Sequence, residues 1–249
     1  AAIHSFFKYL QKHDLAHFEL CSAILSVEFK KAPVPSISYL SIKEIRFLFS
    51  LPDTYDKHEF RDLALLSLLY ETGARVQELI DLRIEDLNLR SNPTVTLHGK
   101  GSKSRMVPLG HDVVLILKKY LSDNQVSGLE TPVFSNKQHK KLTRAGVQYI
   151  IDKYVTRGRA ANSNMFHGHI TNHSFRHSKS MHLVEAGVNL VYIRDFLGHT
   201  SVTTTEIYGK ANAELKRKAI EKHGTELKVK SVYTPKEKDV LLIWLRGNI

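Results

Sequence analysis

Apolar residues recur at helical spacing along most of this chain and alternate in one short region. Residues 3–30 carry Phe6, Phe7, Leu10, Leu15, Phe18, Ile24 and Leu25, which predicts one helical stretch with these side chains in a core. Ala32-Pro33-Val34-Pro35 then breaks the pattern as a linker. Ser41 followed by Glu44 is a capping box and predicts a helix through Phe49. Asp56 with Glu59 predicts the next start, and Leu63, Leu65, Leu66, Leu68 and Leu69 carry that helix to a stop at Gly73. A short helix begins at Arg75.

Residues 94–97 and 105–109 alternate or are β-branched around Gly99-Lys100-Gly101-Ser102, which predicts a hairpin with a flexible basic turn. Residues 112–121 and 143–154 read as amphipathic helices, and 157–164 as a polar loop. Thr171 or Asn172 caps a helix that runs to Ala186 and stops at Gly187; a second spans 189–197 and closes at Gly198, and a third begins at Ser201. Residues 212–223 read as a basic helix, 227–232 as a short edge strand and 235–246 as a last helix. The fold class is therefore mainly α with a small antiparallel β-sheet, and no internal repeat is present.

The chain has 249 residues, 42% of them hydrophobic, enough for one large domain or two small ones. Against 25 Asp and Glu stand 36 Lys and Arg, a net charge of +11 that favours a polyanionic partner and salt-dependent binding. Cys21 is the single cysteine, so an internal disulfide is excluded and a reducing compartment is compatible. No run of about 18 apolar residues exists, and the first residues have no charged signal region or cleavage site. The expectation is a soluble, cytoplasmic protein without a membrane partner.

Candidate chemistry concentrates between residues 171 and 208. His173 and Arg176 stand three apart on one helical face, His199 falls in the tight link after Gly198, and Tyr208 follows nine residues on. Arginine suits a phosphodiester, because its planar fork donates to two oxygens and stays charged at any relevant pH. Upstream, Arg75 and Glu78 by themselves are an ordinary surface pair three residues apart. His173 and His177, four apart with His167 and His169 nearby, fit a zinc ion on one helix face, but a third ligand is not evident.

Taken in order, GARVQEL, GKGSKSRMVPL, HSFR, LGH and TTTEIYG resemble the tyrosine recombinase (phage integrase) family across residues 41–212. The resemblance implies a DNA strand transferase that cuts and rejoins DNA through a 3′-phosphotyrosyl intermediate. It implies Tyr208 as nucleophile, Arg75 and Arg176 as phosphate ligands, and Glu78 as the group that orients Arg75. Lys100 becomes the general acid for the departing 5′ oxygen, with Lys103 as runner-up. His173 is the base or hydrogen-bond partner of the tyrosine, and His199 hydrogen-bonds the phosphate. Because the covalent intermediate conserves the bond energy, neither ATP, a metal ion nor another cofactor is implied.

The same resemblance makes residues 1–32 the last helix of a truncated DNA-clamping domain plus linker, 33–223 the catalytic domain, and 224–249 a C-terminal strand and apolar helix. Val240-Leu-Leu-Ile-Trp-Leu245 leaves no polar face, so that helix docks either on its own domain or on a neighbouring protomer. The partners implied are double-stranded DNA and three further copies, a tetramer on two DNA sites, in the service of a mobile element. Alternatives are a type IB topoisomerase, a DNA-binding regulator with a degenerate site, and a zinc nuclease.

Overall fold

The computed structural model describes residues 2–27, 39–99, 101 and 103–198. Contacts divide the chain into two units, Ala1–Ser36 and Ile37–Ile249. In the first unit the single stretch expected over 3–30 is two helices, α1 (Ala2–His13) and α2 (Phe18–Ser26), with a 3-10 turn at Leu15–His17. The break falls at Asp14, whose extended backbone (φ −132°) and carboxylate, accepting from the Ala16 amide, start a new turn in place of the helix. Among its described residues only Cys21 is buried; Phe6 is 57% exposed, and Phe7 and Leu10 are half-buried, so these side chains do not form a core within this unit.

The second unit is organised around one helix. Ser41 and Glu44 form the predicted capping box at the start of α3 (Ile42–Ser50), and Asp56 caps α4 (Lys57–Thr72) by accepting from the His58 and Glu59 amides. Leucines crowd every face of α4, so it is buried nearly all round from Leu63 to Leu69 and packs against α3, α6 (His111–Asp123) and α8 (Asn172–Glu185). It ends where predicted, at Gly73 in the left-handed region (φ +55°). Short α5 (Val76–Ile80) follows at once, with Arg75 at its N-cap.

Strands β1 (Leu87–Asn88), β2 (Thr94–His98) and β3 (Ser104–Pro108) form an antiparallel sheet in that order, with Val95 opposite Val107 and Leu97 opposite Arg105. The hairpin was legible. Strand β1 was not, because two residues carry no alternation.

The polar loop expected over 157–164 is instead largely helix, since α7 (Arg144–Ala161) runs through its first five residues. Three residues there have tertiary partners. Arg157 forks onto both Glu59 oxygens (2.8 and 2.7 Å), Arg159 donates to the Phe166 carbonyl (3.0 Å), and Gly158 admits the Phe166 ring, whose Cε2 lies 2.3 Å from where a Cβ would stand. The helices near the candidate chemistry follow the sequence closely: α8 is capped by Thr171 and followed by left-handed Gly187 (φ +80°), and α9 (Leu190–Leu197) is capped by Asn189 and closed by Gly198 at φ +64°. The class is mainly helical with a small antiparallel sheet. The linker at 32–35 and the elements expected from Ser201 onward lie outside the described residues.

Candidate active site

The site is assembled from the ends of elements. Because α4 stops at Gly73 and α5 starts two residues later, Arg75 sits at a helix N-cap with its backbone amide unpaired by helix geometry. Glu78, one turn on, reaches back: its Oε2 accepts from that amide at 2.8 Å and its Oε1 from Arg75 Nη1 at 2.9 Å. The Glu78 side chain is 3% exposed, whereas Arg75 remains 43% exposed. The pair that reads from sequence as an ordinary surface contact therefore has a buried acid and an open base.

A second cation meets the same carboxylate. Arg105 comes from β3 and places Nη1 2.9 Å from Glu78 Oε1 and Nη2 2.8 Å from Oε2, while its Nε donates to the Phe196 carbonyl at 2.9 Å. Burial pushes the Glu78 carboxyl upward, but the hydrogen bonds and charge of Arg105 and Arg75 outweigh it, and the net shift is below the ordinary carboxylate range. Sequence reasoning passed over Arg105. The signal was in the alternation: its strand partner Leu97 and its neighbour two on, Val107, both face the core, so Arg105 puts a charge where an apolar residue is due.

Arg176 lies on the buried face of α8 and donates Nη1 to the Gly73 carbonyl and Nη2 to the Leu197 carbonyl, both at 2.6 Å. These are carbonyls at the C-terminal ends of α4 and α9, groups that a helix leaves unsatisfied and whose dipole favours a cation. Arg75 adds a long 3.5 Å contact from Nη2 to the Gly198 carbonyl. Three guanidinium groups thus hold three successive carbonyls, Phe196, Leu197 and Gly198, at the end of α9. The structure brings Arg75, Glu78 and Arg176 together around this point.

His173 is exposed in the first turn of α8, a turn without an acidic residue, and its ring lies 6.3 Å from that of His177. Burial, then the neighbouring His173 and Arg176, lower the His177 pKa. Among the described residues no group of three or more His, Cys, Asp or Glu is placed to hold a metal ion. Lys100, His199 and Tyr208 lie outside the described residues. Their chain neighbours do border the cluster: a Cβ on Gly99 would stand 3.4 Å from Glu78 Oε1, and Gly198 touches Arg75 and Arg105. Lys103, the runner-up lysine, is exposed, and its carbonyl accepts from the Gly99 amide at 2.7 Å. Gln77 on α5 accepts from Arg144 Nε at 2.8 Å, and Asp81, just past the helix end, accepts from Lys141.

Residues 38–214 match the sequence model described as the phage integrase family. A tyrosine recombinase XerD from Listeria monocytogenes serotype 4b (strain F2365) is 34% identical over 241 residues, covering 94% of this chain and 72% of the relative. Among solved structures, XerH site-specific recombinase bound to palindromic difH substrate in a post-cleavage complex superposes with a TM-score of 0.65 at 19% identity, over 88% of this chain and 71% of that one. The Tn1549 transposon integrase in complex with circular intermediate DNA gives 0.60 at 16% identity, over 87% of this chain and 83% of that one. At such identities these two likenesses speak to the fold.

Proposed function

The chain belongs to the phage integrase family, the tyrosine recombinases, and from that premise we propose that Arg75, Lys100, His173, Arg176, His199 and Tyr208 form one catalytic set with Glu78 orienting Arg75. The protein is a site-specific DNA recombinase, an enzyme that transfers DNA strands. What supports the assignment of residues is the convergence of Arg75 and Arg176, far apart in sequence, on the same last turn of α9, immediately before His199.

The chemistry follows from charge. A phosphodiester carries its negative charge on non-bridging oxygens, and more gathers there as a nucleophile adds, so fixed donors aimed at those oxygens stabilise the transition state more than the ground state. Arg75 supplies an open guanidinium held from behind by Glu78, and Arg176 supplies one seated between two helix ends. The acid-free first turn of α8, carrying His173, adds a dipole of the same sign. Tyr208 attacks phosphorus through its phenolic oxygen, passing its proton to His173. The P–O bond to the 5′ oxygen breaks, Lys100 protonates that oxygen, and His199 hydrogen-bonds a non-bridging oxygen. Attack by a 5′ hydroxyl reverses the steps and reseals a strand.

The ligand is double-stranded DNA, in line with the excess of 36 Lys and Arg over 25 Asp and Glu, and four copies act on two duplexes in the cytoplasm. Service to a mobile element is part of this reading. In this reading residues 1–32 belong to a DNA-clamping domain, 33–223 carry catalysis, and 224–249 dock within or between protomers. No helix among the described residues is long and apolar enough to cross a membrane.

The test is covalent capture. A pool of nicked duplexes with a randomised core is incubated with the protein in EDTA, and duplexes that stay attached in detergent are sequenced. The expected result is an enriched site whose adduct persists in EDTA and vanishes in Tyr208→Phe. Adducts formed at an undiminished rate by Tyr208→Phe, or lost in EDTA and recovered by zinc, would overturn the reading.

A further inference from the structure

We infer that Arg105 is a positioning residue for the reaction: by taking up the charge of Glu78, it leaves the charge of Arg75 available to the scissile phosphate, and it fixes the end of α9 from which His199 departs. The inference rests on the assignment of Arg75 as a phosphate ligand and adds a residue to it.

The Glu78 carboxylate accepts four hydrogen bonds, from the Arg75 amide and Nη1 and from Arg105 Nη1 and Nη2, which fills its lone-pair positions. Of the two cations, Arg105 makes the fork-to-fork pairing, the geometry in which a guanidinium and a carboxylate match best. Its side chain is 11% exposed, closed behind Glu78 and the end of α9, so it is not itself placed to touch DNA. Arg75 gives Glu78 one side-chain nitrogen and keeps an open face. One carboxylate shared by two guanidiniums leaves a unit of positive charge, and it resides on the exposed partner. With Arg105 absent, Glu78 would have Arg75 as its remaining partner in this group, and the buried acid would draw the open guanidinium onto itself.

The third nitrogen of Arg105 extends the role. Nε holds the Phe196 carbonyl at 2.9 Å, and Gly198 passes so close that a Cβ there would stand 3.1 Å from Arg105 Cδ and Nη1. Gly198 also has φ +64°, where a side chain strains the backbone. Arg105 thus couples the carboxylate behind Arg75 to the turn that leads to His199.

The experiment uses the full chain and two probes, inorganic phosphate followed through the Arg75 Nε–H resonance, and adduct yield on the randomised nicked-duplex pool. Arg105→Met is expected to weaken phosphate binding and adduct formation about tenfold or more, the scale of losing a charge-assisted interaction. Glu78→Gln added to Arg105→Met is expected to restore most of both, because the acid that captures Arg75 is then neutral. A merely structural Arg105 would not be rescued in this way. Values for Arg105→Met close to wild type, or a loss that Glu78→Gln fails to recover, overturn the inference. Should Arg105→Met not fold, Arg105→Lys retains the charge without the fork. It is expected to slow adduct formation at an unchanged half-saturating duplex concentration, and an unchanged rate again overturns the inference. Arg75→Ala separates the two claims: if it leaves adduct formation intact, the assignment of the site fails, whatever Arg105 does.

Discussion

Asp62 and Glu78 are both buried carboxylates ringed by cations, yet they occupy different kinds of place. Asp62 lies on the flank of α4 where it faces α7: Arg61 Nη2 meets Oδ1 at 2.6 Å, and the Tyr154 hydroxyl donates to Oδ2 at 2.9 Å beside Lys153. Burial, then Asp62 itself, push the Tyr154 hydroxyl pKa far above its ordinary value, so it stays a donor. Lys153 and Arg157 run on to Glu59, and the whole network ties α7 to α4 through side chains. Glu78 stands instead among ends: the start of α5, the hairpin strand β3, and the last turn of α9. In the flank network Arg61 and Arg157 each give two nitrogens to a carboxylate and also donate to a backbone carbonyl, which holds structure, whereas at the helix ends Arg75, 43% exposed, gives Glu78 one side-chain nitrogen and keeps its charge presentable to a ligand. The location of the cluster, more than its composition, separates clamp from site.

The sharpest way to break this contrast is to remove each acid or base and read stability and chemistry separately. Asp62→Ala leaves Arg61 and the Tyr154 hydroxyl without their buried acceptor and is expected to cost about 3–5 kcal/mol. At about 2–4 °C per kcal/mol that lowers Tm by roughly 10 °C in thermal unfolding, with adduct formation per folded molecule unchanged. Arg75→Ala should do the reverse: adduct formation falls about 10²–10³-fold while Tm hardly moves, since Glu78 keeps its fork from Arg105. A large Tm loss in Arg75→Ala would erase the distinction.

Smaller effects refine the flank side. Gly158→Ala forces a Cβ to 2.3 Å from Phe166 Cε2 and is expected to cost about 1–3 kcal/mol by denaturant titration, again without a matching loss of chemistry. The smallest effect concerns pH. Burial is the leading cause that lowers the pKa of both His177 and His182, so the unfolded chain takes up protons there more readily than the folded one. Their stability contribution is full above the ordinary histidine value of 6.5 and is lost as pH falls from there through the lowered folded values. His182→Gln, which replaces a ring hydrogen-bonded to the Tyr70 hydroxyl at 2.8 Å, should flatten the fall of Tm below pH 6.5, and an unchanged slope would remove His182 from that account.

Most of the fold around the site was legible in local chemistry. Caps at Ser41, Asp56, Thr171 and Asn189 and stops at Gly73 and Gly198 depend on residues within one turn, so sequence alone determined where α3, α4, α8 and α9 begin or end. The pairing of Arg75 with Glu78 was readable for the same reason, since the two stand within one helical turn. Where an element's fate depended on a distant partner, local reading failed. Residues 157–161 stay helical because Glu59 and Phe166 receive Arg157 and Gly158, and neither partner lies within the same turn. The sequence likewise placed His173 and Arg176 on one helical face, while Arg75 and Glu78 stood out only through the family resemblance. Only tertiary structure decided that Arg105 closes the carboxylate from behind and that three guanidiniums share the end of α9, because burial and charge sharing are properties of the assembled neighbourhood, set by which element ends meet.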